Sequence, residues 1–241
     1  TPSKAGARLC LPSGSLLDRM GNRGQKPMTF ARTIVCPLCS FAAKKYHQDR
    51  RRAYYQCQNC RLVFVLPDAF LSVADEKAVY DLHQNDPDDA GYRTFLSRMS
   101  LPLHERLSTG SRGLDFGSGP GPTLSVLFEE LGHTMAIYDP FYAPDRSVLA
   151  DEYDFVTATE VVEHLRSPQA SVNRMWGCVK PGGYLGIMSK LVIDRAAFAN
   201  WHYKNDDTHI CFFSRETFDW LAGEWGTEAL FIGKDVTLFQ K

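Results

Sequence analysis

The sequence predicts an α/β protein, an open and mostly parallel sheet covered by helices on both faces, preceded by a small metal-stapled module. Three observations carry this. From Arg112 onward, short apolar strands alternate with stretches of helical periodicity, the order that builds a parallel sheet from strand–helix–strand units. The first of those strands, Gly113–Phe116, runs into a glycine-rich turn and then a helix. Upstream, four of the seven cysteines form two Cys-x-x-Cys pairs, 36/39 and 57/60, with seventeen residues between them.

Residues 1–28 are rich in Gly, Ser, Pro and basic side chains without sustained periodicity and are expected to form a flexible tail. Residues 29–67 hold the cysteine pairs and short aromatic strands, Tyr54–Gln56 and Leu62–Val65. Residues 68–110 are a helical connecting segment with a Pro/Asp-rich break at Asn85–Asp89, and residues 111–241 are the α/β core. In the core, Leu124, Leu127, Phe128 and Leu131 recur at helical spacing behind Pro122, and Gly132 can end that helix. Thr134–Tyr138 and Asp154–Ala158 are the next strands. Ser167-Pro168 opens a helix facing inward through Val172, Met175, Trp176 and Val179; a Lys180–Gly183 turn and a strand at Tyr184–Ser189 follow. Ser214 caps a helix carrying Phe218, Leu221, Ala222 and Trp225. The last strands, Ala229–Ile232 and Val236–Phe239, are joined by only Gly233–Asp235, which makes them an antiparallel hairpin.

Four thiolates at the spacing of Cys36, Cys39, Cys57 and Cys60 can close a tetrahedron around Zn²⁺ with no position left open for catalysis, so the expected role of the metal is structural. Such an ion supplies folding free energy that so short a segment cannot draw from a core. Cys178 and Cys211 sit in apolar patterns as free thiols, and this cysteine usage points to a reducing cytoplasm. No apolar run approaches the roughly 18–20 residues of a membrane span. The net charge of −1 argues against long nucleic acid as the main partner. A local patch, Lys44-Lys45-Tyr46-His47-Gln48-Asp49-Arg50-Arg51-Arg52, could grip a phosphate backbone or be a solvated hairpin tip.

The turn Gly113-Leu-Asp-Phe-Gly-Ser-Gly-Pro-Gly121 differs from the dinucleotide fingerprint, because its third glycine falls one place early and Pro122 takes that glycine's position. Asp115 would repel a pyrophosphate but can pair with a cationic amino group. Asp139, 20 residues beyond Gly119 at the end of the next strand, can accept from ribose hydroxyls. A ligand with positive charge and a nucleoside, such as S-adenosylmethionine, suits both.

With Ile137-Tyr-Asp-Pro140, Tyr153-Asp-Phe-Val-Thr-Ala-Thr-Glu-Val-Val-Glu-His-Leu165 and Val179-Lys-Pro-Gly-Gly-Tyr-Leu185 in the same order, the chain resembles the class I S-adenosylmethionine-dependent methyltransferases over roughly residues 110–241. The resemblance implies a Rossmann-like sheet of seven strands with an antiparallel last strand. It also implies Asp115, Gly117, Gly119 and Gly121 around the methionine part of the cofactor, Asp139 on the ribose, Pro140 near the adenine and Glu160 near the methyl-transfer zone. Tyr92 and Tyr80 could close over the cofactor, or simply pack.

A protonated nucleophile needs a base. His164 and His209 are the candidates, with Glu163 orienting or receiving, although each could equally be a structural residue. Phe198, Trp201, Tyr203, Phe212 and Phe213 favour an apolar or aromatic acceptor pocket. The leading expectation is methyl transfer to O, N or C of a small-molecule acceptor. RNA methylation, with the cysteine module and its basic tip as docking surface, is the alternative. A non-catalytic zinc- and nucleotide-binding protein is the third reading.

Overall fold

The computed structural model describes residues 33–83 and 85–241, which form one compact unit. The expected tail, 1–28, lies outside the described residues. In chain order the elements are strands β1 (Ala43–Gln48), β2 (Ala53–Cys57) and β3 (Val63–Val65), helices α1 (Val73–Tyr80) and α2 (Ala90–His104), β4 (Arg112–Phe116), α3 (Thr123–Glu130), β5 (Thr134–Tyr138), β6 (Tyr153–Thr159), α4 (Pro168–Gly177), β7 (Val179–Met188), α5 (Arg195–Ala199), β8 (Cys211–Phe212), α6 (Arg215–Trp225), β9 (Ala229–Ile232) and β10 (Val236–Gln240). No helix among the described residues is long and apolar enough to cross a membrane.

The main sheet has the order β5-β4-β6-β7-β10-β9. The first four strands are parallel, and β10 runs antiparallel to both β7 and β9. The parallel strands are buried on both faces, as crossover helices require: Leu114, Phe155, Val156, Leu185 and Ile187 are fully enclosed. Helix α2 closes one face through Leu96, Met99 and Leu103, beside Leu124 and Phe128 of α3. Helix α3 stops at Gly132, whose φ of +87° suits a residue without Cβ. Helix α6 starts in a reciprocal capping box between Ser214 and Thr217.

The sheet has six strands among the described residues, not the seven the resemblance implies. Beyond β5 the chain makes a bridge between Asp139 and Ala143 and a 3₁₀ turn at Arg146–Ala150, capped by Asp145, where a further edge strand would run. Pro140 and Pro144 flank this stretch and cannot donate to a ladder.

The cysteine-bearing segment is continuous with the core rather than set apart from it. Its strands form a second, antiparallel sheet of order β1-β2-β3-β8, and β8 belongs to the far end of the sequence. Phe198 of α5 packs edge-on against Tyr46, Tyr54 and Phe212, so the seam is aromatic. Of the basic stretch, Lys44, Lys45, Arg50 and Arg51 are exposed, whereas Arg52 is turned inward. Arg52 is 6% exposed and donates to the carbonyls of Lys204 and Asp206 at 2.8 Å each, to that of Asp207 at 3.3 Å and to Tyr54 Oη at 3.0 Å. Arg51 pairs with Asp207. Two of the three arginines are thereby withdrawn from a phosphate-gripping role.

Candidate active site

The turn between β4 and α3 opens a cavity of about 650 Å³ at the carboxyl ends of the parallel strands, where open α/β sheets place their ligands. All eight residues expected around a cofactor, Tyr92, Asp115, Gly117, Gly119, Gly121, Asp139, Pro140 and Glu160, line it. Gly117 has φ +81°, and a Cβ there would lie 2.5 Å from Val161. Gly121 is required for a reason the sequence did not disclose. A Cβ there would lie 2.1 Å from the carbonyl oxygen of Asn85, so the chain ahead of α2 crosses directly over the turn. Thr123 Oγ1 donates to that same carbonyl at 3.1 Å.

Asp139 braces the turn. Its Oδ2 accepts from Gly119 N–H at 3.0 Å, and its Oδ1 accepts from Phe141 and Tyr142 N–H at 2.8 and 3.1 Å. Asp115 is buried and accepts from Thr157 Oγ1 at 3.0 Å. Burial pushes its carboxyl up to about 7, with the nearby Asp139 charge adding to the effect. Among the described residues no basic side chain forms an ion pair with Asp115 or Asp139. Glu160, at the end of β6, holds φ +53°, a strained conformation for a residue with a Cβ. Its Oε1 is buried without a partner, as are Thr159 Oγ1 and Ser118 Oγ on the same wall. Buried polar groups in a native protein are normally satisfied. Three of the six such atoms among the described residues lie on this wall.

The other end of the cavity is lined by His164 and His209, whose ring centroids are 4.7 Å apart. His164 Nδ1 donates to the Thr208 carbonyl at 3.2 Å and His209 Nδ1 to the Tyr203 carbonyl at 2.7 Å. A carbonyl can only accept, so each Nδ1 carries the proton and each Nε2 the lone pair. Burial lowers both rings, His164 to about 3, leaving them neutral at pH 7. Glu163 is expected in the cavity from the sequence, but it lies behind the wall with no exposure. Its carboxylate accepts from Ser189 Oγ at 3.1 Å and from Tyr203 Oη. Burial and the Glu160 charge push it up to about 8.

The aromatic residues expected to wall an acceptor pocket go elsewhere. Phe198, Phe212 and Phe213 are fully enclosed, and the first two pack on the cysteine module. The aromatic rings that line the cavity include instead Tyr80, Tyr92, Phe95, Phe141 and Tyr142. Tyr80 and Tyr92 are thus on the wall, as their helical positions allowed. Tyr203, expected as a pocket ring, lies off the cavity wall and instead reaches both Glu163 and Glu160 through one hydroxyl, a link that the sequence did not signal.

Sγ atoms of Cys36, Cys39, Cys57 and Cys60 all lie within 4.8 Å of one another. Cys36–Cys60 and Cys39–Cys57 approach to 3.6 and 3.3 Å, near the ~3.8 Å edge of a tetrahedron with ~2.3 Å Zn–S bonds. Leu38 and Asn59 N–H point at the sulfurs of Cys36 and Cys57 at 3.4 and 3.3 Å. The residue after each second cysteine, Ser40 and Arg61, has positive φ, so the two turns share one geometry. The donor set and its shape fit the metal.

A sequence profile for the methyltransferase domain matches residues 84–230, more than half of the chain. The chain belongs to the methyltransferase domain family. No curated protein matches it. Among solved structures it is similar to the 1,6-didemethyltoxoflavin N1-methyltransferase of Burkholderia thailandensis, with 16% identity, a TM-score of 0.47, and coverage of 83% of this chain and 99% of that one. It is also similar to an O-methyltransferase family protein of the same organism, with 13% identity, a TM-score of 0.47, and coverage of 69% and 62%.

Proposed function

We propose that this methyltransferase uses S-adenosylmethionine and acts on a small-molecule acceptor bound at the His164–His209 end of the cavity, and that its four paired cysteines hold a structural zinc ion. One observation carries the cofactor assignment. Asp115 is a buried carboxyl with no cationic partner among the described residues, beside a turn whose glycines let a ligand approach the main chain. A cationic amino group there would return the carboxyl to its charged form. When bound, S-adenosylmethionine supplies a methyl group on a positively charged sulfur.

The chain's own residues divide the work. Asp115 holds the amino group, Asp139 keeps lone pairs for ribose hydroxyls, and Pro140 packs beside the adenine. Glu160 places an unpartnered carboxylate oxygen where α2, through Tyr92, closes the cavity. At the far end, neutral His164 and His209 offer the Nε2 lone pairs that an acceptor's proton, or a cation holding the acceptor, requires. RNA is the less favoured acceptor, because Arg51 and Arg52 are committed to the segment 204–207.

Calorimetry on the zinc-loaded protein tests the reading. S-adenosylmethionine should bind, and Asp115→Asn should weaken it roughly 10- to 150-fold, since a hydrogen bond to a charged group is worth about 1.5–3 kcal/mol. A folded protein that does not bind the cofactor, or a variant of normal affinity, overturns it. RNA binding at low salt that falls steeply when Arg50 is neutralised would move the acceptor assignment to RNA.

A further inference from the structure

We infer that His164, His209 and the Glu160–Glu163 carboxylates form a second, non-cysteine site for a divalent cation, facing the acceptor end of the cavity. The inference rests on the methyltransferase reading for its purpose but not for its geometry. A carboxylate oxygen of Glu163 and one nitrogen from each imidazole lie within 4.8 Å of one another. Three ligand atoms that converge this closely, two from one turn and one from a distant segment, can share one ion.

Each histidine is prepared as a ligand. Its Nδ1–H is held by a main-chain carbonyl, Thr208 for one ring and Tyr203 for the other. Metal-bound histidines are oriented in this way, the free Nε2 being presented to the ion. The carboxylate is prepared as well, since Ser189 Oγ and Tyr203 Oη both donate to Glu163.

Two further observations point to a missing positive charge. His209 Nε2, which carries a lone pair, faces Asp206 Oδ2 at 3.8 Å, a repulsive arrangement unless a cation lies close by. Glu160 Oε1 is buried without a partner and is held on the cavity wall by a strained backbone. Lys190, whose charge reaches Glu160, is directed at His202 Nε2 at 3.2 Å and forms an ion pair with neither glutamate.

Two imidazoles with carboxylates suit a borderline divalent ion, Mn²⁺, Fe²⁺, Co²⁺ or Zn²⁺, better than a soft or monovalent one. The cavity side of the cluster is open, because His164 and His209 line it whereas Glu163 closes the rear. An ion there would have a position free for an oxygen of the acceptor, so the acceptor class is a hydroxylated or otherwise oxygen-bearing small molecule. The two histidines then serve as ligands, not as bases, and the ion itself makes the acceptor hydroxyl more acidic.

Mn²⁺ is the discriminating probe. It has little affinity for thiolates already saturated with zinc, and free and bound Mn²⁺ differ in their paramagnetic resonance signal. The zinc-loaded full chain should bind one Mn²⁺ saturably. The double variant His164→Ala, His209→Ala should lose it. Tyr203→Phe, which keeps the packing and removes only the hydroxyl, should weaken Mn²⁺ by about 10–100-fold, the usual effect of losing an outer-shell partner. Circular dichroism and a cooperative thermal melt, read in parallel, confirm that each variant is folded. Asp115→Asn should leave Mn²⁺ binding unchanged. Saturable Mn²⁺ binding without S-adenosylmethionine binding would keep the cation site and remove the methyl-transfer reading. Absence of a saturable site on folded protein, or equal Mn²⁺ affinity in wild type and the double variant, would overturn the site itself.

Discussion

The Gly117–Gly121 end of the cavity is shaped by main chain, whereas the His164–His209 end is shaped by side chains that converge from distant segments. At the first, one turn and the ends of β4 and β5 form the floor, and Asn85 and α2 lie over it. At the second, His164 follows β6, His209 follows the 3₁₀ turn at His202–Asn205, and the segment between is held from behind by Arg52 of the cysteine module. The cofactor end is therefore expected to withstand damage to the cysteine module, and the acceptor end to fail with it.

The largest expected effect comes from the metal. Cys60→Ser, or a chelator, would remove the proposed zinc ion, whose binding free energy in small zinc domains is on the order of 10–16 kcal/mol. Strand β3 would lose its anchor, and β8, paired to it, would follow. Acceptor turnover should vanish, whereas S-adenosylmethionine binding measured by calorimetry should largely persist. Loss of both in step would show that the two ends are one cooperative body and would break the comparison.

A smaller effect isolates the clamp itself. Arg52→Ala leaves the carbonyls of Lys204, Asp206 and Asp207 and the Tyr54 hydroxyl without their donor, while Asp49 keeps its ion pair with Lys204. Removing one member of a buried charged network typically costs about 3–5 kcal/mol. The melting temperature should fall and the acceptor KM should rise, with cofactor affinity unchanged. Arg52→Lys should not rescue, because a single ammonium cannot reproduce a planar fork reaching three carbonyls. An unchanged acceptor KM in a folded Arg52→Ala protein would remove the clamp from the account.

The same division explains what could be read without coordinates. The glycine turn, Asp115 and Asp139 are a local pattern whose geometry follows from one strand end, and all of it falls on the cavity wall. The cysteine pairs are equally local, and their four sulfurs converge as the spacing requires. What escaped was non-local. The aromatic run from Phe198 to Phe213 reads as a pocket lining, but β3 captures β8 across roughly 150 residues of sequence and turns Phe198 and Phe212 into the seam. Arg52 reads as a solvated or phosphate-gripping residue because its carbonyl partners, at 204–207, carry no side-chain signal at all. The seventh strand was implied by resemblance alone; the apolar runs themselves number six in the main sheet, as observed.

The finest test of the contrast is a pH profile of cofactor binding. Asp115 has a folded-state value near 7, raised above its ordinary 3.8 by burial. A raised carboxyl stabilises the cofactor-free fold fully below its unfolded value, and that contribution is lost as pH rises through about 7. A cationic ligand demands the opposite form. Below pH 7, binding must first expel the proton, so affinity should climb with pH by up to ~10-fold per unit and level off above about 7. Asp115→Asn should flatten this slope. The thermal shift produced by S-adenosylmethionine should grow over the same window, because the unliganded protein is losing stability where the complex is gaining it. A slope that survives in Asp115→Asn would assign the titration to another acid of the wall, Glu160 being next in line by its burial, and would shift the cofactor's positive charge toward the histidine end of the cavity.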